Sequence, residues 1–431
     1  MRPTILALLL SLWWLGAPAA AQEVSNDRLG TVGGMIQVSP TWLRLPTGER
    51  FDSPNAIPRA LEFAAPGAVV ELLPGTYPPF KIGFGNHDPE NSRTVGGQPG
   101  LPIVIRGRQG VRVEHRDRAD TLGISHTVPV AHIHFENIEF VPGYRSAIMF
   151  YDLEDTQAHV GFHFYDCRIV GRWDHPTKTG ETSKWGVLGH DLSDFVFAGR
   201  NGRAVVRDIR LEHGFYLQSP RGNITLENID ASRLGRCFVQ ITARERSGPP
   251  GRGLVTIRNN HVNDTGISDW DNFKGGSAFT IAGGLEYCTI LVEGNRYRAG
   301  FDPKLVHLTG EGAAYGTGAL VAWDGGEARP NGNLLLRGND FEIEKSAGDR
   351  PLVKIGACER VSVEADNRFV TGAWPTALEI QAVYDEQRSG PRQIGQLFLD
   401  AALEIQGQIR VDTELLTDKQ RARYAIPLGD R

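Results

Sequence analysis

Short runs in which apolar and polar residues alternate recur along this chain, and most close on Asn or Gly-Asn. They are Ile133 to Asn137, Ile224 to Asn228, Val255 to Asn260, Ile290 to Asn295, Leu334 to Asn339, and Val361 to Glu364 followed by Asp366-Asn367. A period of two predicts a half-buried strand, and Asn or Gly supplies the left-handed turn that ends it. A second series interleaves with the first. Its alternating runs open at Ala147, Gly186, Gly214, Cys237, Ala278, Ala319, Leu352 and Ala377. Unrelated sheets of a sandwich account for the alternation but not for the interleaving. A solenoid with two or three short strands per coil accounts for both, and predicts that the second series begins the stacked strands of one parallel sheet. Phe215, Leu217, Phe279 and Ile281 then face the core. His190, Tyr216, Gln218, Thr280, Trp323 and Lys354 form an outward column, with Trp185, His213, Arg236 and Ser277 just before the strands.

Ahead of the repeats, Ile57, Ala60, Leu61 and Ala64 fall on one face of a short helix, which Pro66-Gly67 ends. Val69 to Leu72 reads as a strand, and Pro74-Gly75-Thr76-Tyr77 follows. This succession resembles the start of pectin-lyase-like right-handed parallel β-helices, and with the repeats the resemblance spans Ser53 to Asp400. It implies an all-β fold, a right-handed parallel β-helix whose helix covers the open apolar end of the coil stack. The organisation expected is a leader at 1–21, a lead-in at 22–52, one elongated β-helix domain at 53–400 and a C-terminal cap at 401–431. Thr413 to Tyr424 is helix-compatible and is the expected closing cap.

Composition narrows the class. At 40% apolar the chain can bury a core, which excludes a disordered polymer, and 51 Gly without a Gly-X-Y period exclude both a collagen and a helical bundle. Arg2, the apolar run Ile5 to Leu15 and the small residues Ala19 to Ala21 form a signal-peptide pattern too short for a membrane anchor. The mature chain is expected to start near Gln22 and to be exported, periplasmic or secreted, without a membrane span and as a monomer. Cys167, Cys237, Cys288 and Cys358 lie far apart and read as free, semi-buried thiols. The net charge of −5 hides a local reversal: Arg200 to Arg258 holds eleven Arg against five acids. Such a belt suggests a local anionic partner rather than nucleic acid.

The densest chemistry is Lys184-Trp185-Gly186-Val187-Leu188-Gly189-His190-Asp191, followed one coil later by His213-Gly214-Phe215-Tyr216 and then Arg236. A base, a phenol and a guanidinium are the groups needed to take a proton beside a uronate carboxylate. The cation stabilises the enolate-like intermediate, and a His or ionised Tyr takes the C5 proton. His213, Tyr216, Arg236, His190 and Lys274 are the catalytic candidates; Lys184, Trp185, Asp191, Gln218, Gln240, Arg244 and Trp323 are the substrate-binding candidates. Aromatic faces and polar groups on adjacent coils suit a sugar-binding groove. Gly189-His190-Asp191 and His213-Gly214 also resemble mannuronan C5-epimerases, with Leu188-Gly189 standing where that family has Asp-Pro; the resemblance implies uronate chemistry. The expected activity is a polysaccharide lyase acting by β-elimination on an acidic polysaccharide. The alternatives are a uronate C5-epimerase, a polygalacturonase-like hydrolase and a non-catalytic carbohydrate-binding stalk. A hydrolase needs facing carboxylates, for which Asp152, Glu154 and Asp155, Asp191 and Asp194, or Asp269 and Asp271 are candidates. Asp269 and Asp271 are also the candidate Ca²⁺ ligands. No other cofactor is called for. His132, His134 and His163 alternate within strands and are expected to be outward structural residues.

Overall fold

The structure, a computed structural model, describes residues 32–83, 95–115, 120–125, 129–153, 157–172, 184–243, 252–267, 277–299, 318–323, 330–343, 351–372, 376–381, 394, 396–400 and 403–411. The chain is a right-handed parallel β-helix of three sheets. Among the described residues sheet 1 holds 16 strands; it includes His159–Tyr165 and carries the Asn-terminated series, with Val130–Glu136, Ile224–Glu227, Gly253–Arg258, Cys288–Glu293 and Asn331–Arg337. Sheet 2 holds 11 strands and carries the second series, including Ser146–Phe150, Trp185–His190, Phe215–Gln218, Val239–Thr242, Phe279–Ala282, Leu320–Trp323 and Val353–Ile355. Sheet 3, also of 11 strands, closes each coil with short segments such as Ile229–Leu234 and Arg296–Ala299.

The two interleaved series therefore belong to two sheets, each in register through its stack. Gly186 stands level with Gly214 because Val187 pairs with Phe215. One member is displaced. Val239 pairs with both Phe215 and Phe279, so Phe238, not Cys237, occupies the opening position of its strand. Both are buried, and Phe238 packs 5.6 Å from Phe215 and 5.8 Å from Phe279, ring centre to ring centre. A large ring filling the core outweighed the small-residue pattern here.

The lid has the expected form. Helix Ala56–Phe63 buries Ile57, Ala60 and Leu61, and Ala64 just beyond it is buried too. The sheet begins before residue 53, since Met35–Ser39 pairs in parallel with Val69–Leu72. At the other end Glu404–Gln406 and Gln408–Val411 continue sheets 3 and 2. Thr413 to Tyr424 and the leader lie outside the described residues. Among the described residues no helix is long and apolar enough to cross a membrane. All four cysteines are buried and free, and burial raises each thiol's pKa.

The corner between sheets 1 and 3 holds the coils together. Asn259, Gly294 and Gly338 turn left-handed there, with φ of 56°, 62° and 59°, and point the next residue inward. Asn260, Asn295, Asn339 and Asn367 stack in consecutive coils, each at most 1% exposed. Each amide donates to the next carboxamide oxygen, at 2.9, 3.1 and 2.8 Å, and to a strand carbonyl of the preceding coil. Beside this ladder, the outward ends of the sheet 1 strands alternate in charge. Arg106 pairs with Glu136 at 2.6 Å, Arg258 with Glu227 at 2.9 Å and Arg337 with Glu293 at 3.3 Å.

Asn295→Ala removes the partner of Ile257 C=O, of the Asn260 backbone N–H and of one Asn260 side-chain donor in a dry site, at about 1–3 kcal/mol for each buried group left unsatisfied. The loss should approach ~3 kcal/mol in denaturant unfolding. Asn228→Ala, whose amide bonds at a partly exposed corner, should lose ~1 kcal/mol because water replaces it. Equal losses would show that the buried ladder adds nothing special.

Candidate functional site

Turns from sheet 1 to sheet 3 are short, whereas connections into sheet 2 vary, from short ones such as Ile209 to Phe215 to long ones such as Val170 to Trp185 or Ala299 to Leu320. The outward face of sheet 2 is therefore the candidate groove. The alternation places two rows on that face. Tyr216, Gln240, Thr280, Val321 and Lys354 are level in one row. His190, Gln218, Thr242, Ala282 and Trp323 are level in the other. Tyr216, Gln240, Trp323 and Lys354 are half-buried, while His190, Gln218 and Thr280 are buried. The Gln218 carboxamide oxygen has no hydrogen-bond partner among the described residues.

At the edge where the strands begin, Glu212 lies between two partners. Its Oε2 accepts from Arg236 Nη1 at 3.3 Å and stands 3.3 Å from His213 Nε2. His213 is 1% exposed, and its Nδ1 accepts the Cys237 N–H, so the ring proton sits on Nε2 facing Glu212. Burial first, and then Arg236, lowers the His213 pKa well below the usual imidazole value. Burial raises the Glu212 pKa, with Arg236 opposing it. The His213 ring packs 5.1 Å from Tyr216, centre to centre. Lys184 reaches over Trp185 at 5.4 Å and Tyr144 at 5.2 Å, close enough to act on Glu212 electrostatically. The Trp185 indole N–H is buried without a partner among the described residues.

At the opposite edge His190 Nδ1 meets Asp152 Oδ1 at 2.5 Å. Asp191 turns left-handed at φ 51° and is buried against Arg221, whose Nε donates to Oδ1 at 2.9 Å. Burial pushes the Asp191 pKa up to about 6, with Arg221 opposing and Asp152 adding. His159, fully buried, accepts the Val130 N–H on Nδ1. Back at the entrance edge, Asp120 accepts from Ser146 Oγ, which is level with Trp185, at 2.5 Å and from Tyr151 OH at 2.7 Å.

The candidates of the sequence thus divide into two groups. Tyr216, Arg236, Lys184, Trp185 and His213 come together at one edge of sheet 2. His190 and Asp191 lie at the other, because His190 is level with Gln218, five residues beyond His213. At about 3.3 Å per residue that is roughly 16 Å. His213 lies beneath the groove surface rather than on it. Glu212 entered the sequence reading only as a charge, although Glu-His one coil before Arg236 is the signal that could have found it. Arg244, Lys274, Glu154, Asp155, Asp269 and Asp271 lie outside the described residues. Among those described, no three His, Cys, Asp or Glu side chains converge as a metal site. The arginine belt is not one surface: Arg221 pairs with Asp191, Arg233 with Asp208, Arg236 with Glu212, Arg203 with Asp230 and Arg258 with Glu227.

No family model matches the chain, and no curated protein matches it by sequence. Solved structures do. An alginate lyase from Paenibacillus sp. str. FPU-7 superposes with a TM-score of 0.52 at 14% identity, covering 81% of this chain and 99% of its own. A pectate lyase, Pel9A, gives 0.42 at 14% identity, with 81% and 82% covered. The Dettilon tailspike protein gives 0.39 at 11%, with 79% and 68% covered. The first likeness shows that the two chains share the parallel β-helix fold.

Asp191 titrates at about 6 in the folded chain against an ordinary 3.8, so folding favours its protonated form. That contribution is complete below about 4 and disappears as pH rises through 6. Arg221→Met removes the opposing cation and moves the carboxyl higher still. It should destabilise by ~3 kcal/mol at pH 8, where a buried charge is left unpaired, and clearly less at pH 5. Thermal melts at both pH values check this, and a pH-independent loss would place the role of Arg221 in packing alone.

Proposed function

We propose that the protein acts on a uronic-acid polysaccharide by β-elimination, with the polymer lying along the outward face of sheet 2. The observation that carries this reading is the cluster at the strand entrances, where a phenol and two cations border one face. Tyr216 stands on the floor, Arg236 is oriented by Glu212, and Lys184 spans Trp185 and Tyr144. Glu212 engages Arg236 Nη1 and so orients the guanidinium that is proposed to meet a substrate carboxylate. Neutralising that carboxylate acidifies the neighbouring C5–H; Tyr216, ionised, takes that proton, the C4–O bond breaks as the C4=C5 double bond forms, and the phenol returns the proton to the leaving glycosidic oxygen. His213, neutral and fixed by Cys237 N–H and Glu212, holds the Tyr216 ring and the carboxylate in position. The Paenibacillus structure of the same fold is an alginate lyase, which agrees with this substrate class. The leader pattern at 1–21 supports a site of action outside the cytoplasm.

A second reading rests on the opposite edge. Asp191, at a pKa of about 6, and Asp152, which perturbs it, are two neighbouring carboxyl groups of the kind a glycoside hydrolase uses. Elimination is favoured because Asp191 is 2% exposed and held by Arg221, which leaves Asp152 as the carboxylate facing solvent.

Incubation with a panel of uronic-acid polymers should produce the ultraviolet absorbance of an unsaturated sugar end. New reducing ends without that absorbance would establish the hydrolase instead. Arg236→Ala should lower turnover by ~10²-fold or more, as for loss of a single electrostatic donor. Tyr216→Phe should keep binding and lose turnover. Full specific activity in both variants, at unchanged melting temperature, would remove this edge from the reaction.

A further inference from the structure

The alternating charges along sheet 1 are interrupted partway up the stack. Between Glu136 and Glu227 the same position is held by Tyr165 and Ala198. A cavity of about 510 Å³ opens there, at the corner between sheets 1 and 3 and across the coil from sheet 2; Arg106, Glu136, Tyr165, Asp166, Arg200 and Arg203 line it. Most of these charges are already engaged. Arg106 pairs with Glu136 at 2.6 Å, and Arg203 lies 3.4 Å from Asp230 and donates to Asn259 C=O. Asp166 accepts the N–H groups of Arg200 and Asn201 at 2.7 and 3.0 Å and the Asn201 amide at 2.7 Å.

Arg200 is different. Its guanidinium carbon lies 3.1 Å from the centre of the Tyr165 ring, and among the described residues no carboxylate pairs with it. The Tyr165 ring engages the flat face of the Arg200 guanidinium and the Tyr165 side chain takes a hydrogen bond from it, while the remaining N–H donors project from the edge in the geometry that fits a carboxylate. The side chain is held twice: Asp166 fixes its backbone, and the ring beneath supports its head. A cation preorganised in this way loses little freedom on meeting an anion. The volume is in the range of a small-ligand site and suits one sugar residue.

We propose that this cavity is a second binding site, separate from the face of sheet 2, in which Arg200 takes the carboxylate of a uronic-acid residue. The choice of a uronic acid rests on the function proposed above; the argument for an anion rests on Arg200 and the interrupted ladder alone. Such a site would hold another stretch of the acidic polymer on the far side of the coil without taking part in its cleavage.

The test is calorimetric titration of the full chain with a short uronic-acid oligosaccharide, in the Tyr216→Phe background so that the ligand is not consumed. Two sites are expected, and Arg200→Gln should weaken one by ~10-fold or more while leaving the other unchanged, the size expected for one charged hydrogen-bond pair. Arg200→Lys, which keeps the charge but not the fork, should fall between. One site that disappears with Arg200→Gln would support the cavity and refute binding at sheet 2. Titrations of Arg200→Gln that match the parent, at equal melting temperature, would overturn the cavity site. Absence of heat from the parent itself would overturn both.

Discussion

Each coil of this protein must stack on the one below with its backbone satisfied and its side chains in register, and the corner between sheets 1 and 3 meets that demand most tightly. A buried carboxamide has donors and an acceptor that are costly to leave unpaired. Stacked from Asn260 to Asn367, these groups satisfy one another across coils and also cap strand carbonyls. A coil slipped by one residue would break the ladder and turn the core side chains outward. The left-handed residues before them, Asn259, Gly294 and Gly338, make the turn short enough for the stacking to repeat.

That closed corner determines where chemistry can collect. The turns from sheet 1 to sheet 3 stay short, and chain length varies instead in the connections into sheet 2. Its strands therefore carry side chains that the core does not need, at ends where successive coils bring distant residues level. Glu212, His213 and Arg236 meet at one end in this way, and Asp152, His190, Asp191 and Arg221 at the other. Burial then changes their character. His213 is kept neutral, and Asp191 is held near pH 6 despite its arginine. Glu212 and His213 thus lie beneath the groove, while Tyr216, Lys184 and Arg236 remain partly exposed on it.

Charge follows the same logic of stacking. A window rich in arginine in one dimension is divided by the coil among three faces, and most members find an acid one coil away. Coils of sheet 1 alternate Glu and Arg because like charges a strand apart repel and opposite ones attract. Arg200 escapes that pairing only because Tyr165 and Ala198 interrupt the alternation. Its neighbours His134 and His163 stack at 4.2 Å on the outer face, as their alternation in the sequence had indicated.

The coil stack was legible in the sequence because hydrophobic alternation and left-handed turn residues act locally, through backbone geometry and burial of one strand face. The Asn-terminated series, the second series, the capping helix and the free cysteines needed no knowledge of the rest of the molecule. The register of Cys237 was not legible, since whether Phe238 or Cys237 opens that strand depends on the rings above and below it. Nor was the separation of His190 from His213, or the partnership of Glu212 with both His213 and Arg236. Those depend on which residue of one coil stands above which residue of the next. Loops of unequal length intervene, so spacing along the chain does not measure it. Alternation specifies the face a side chain takes; only the stacked coils decide its height on that face, and therefore its neighbours, its charge state and the chemistry it can join.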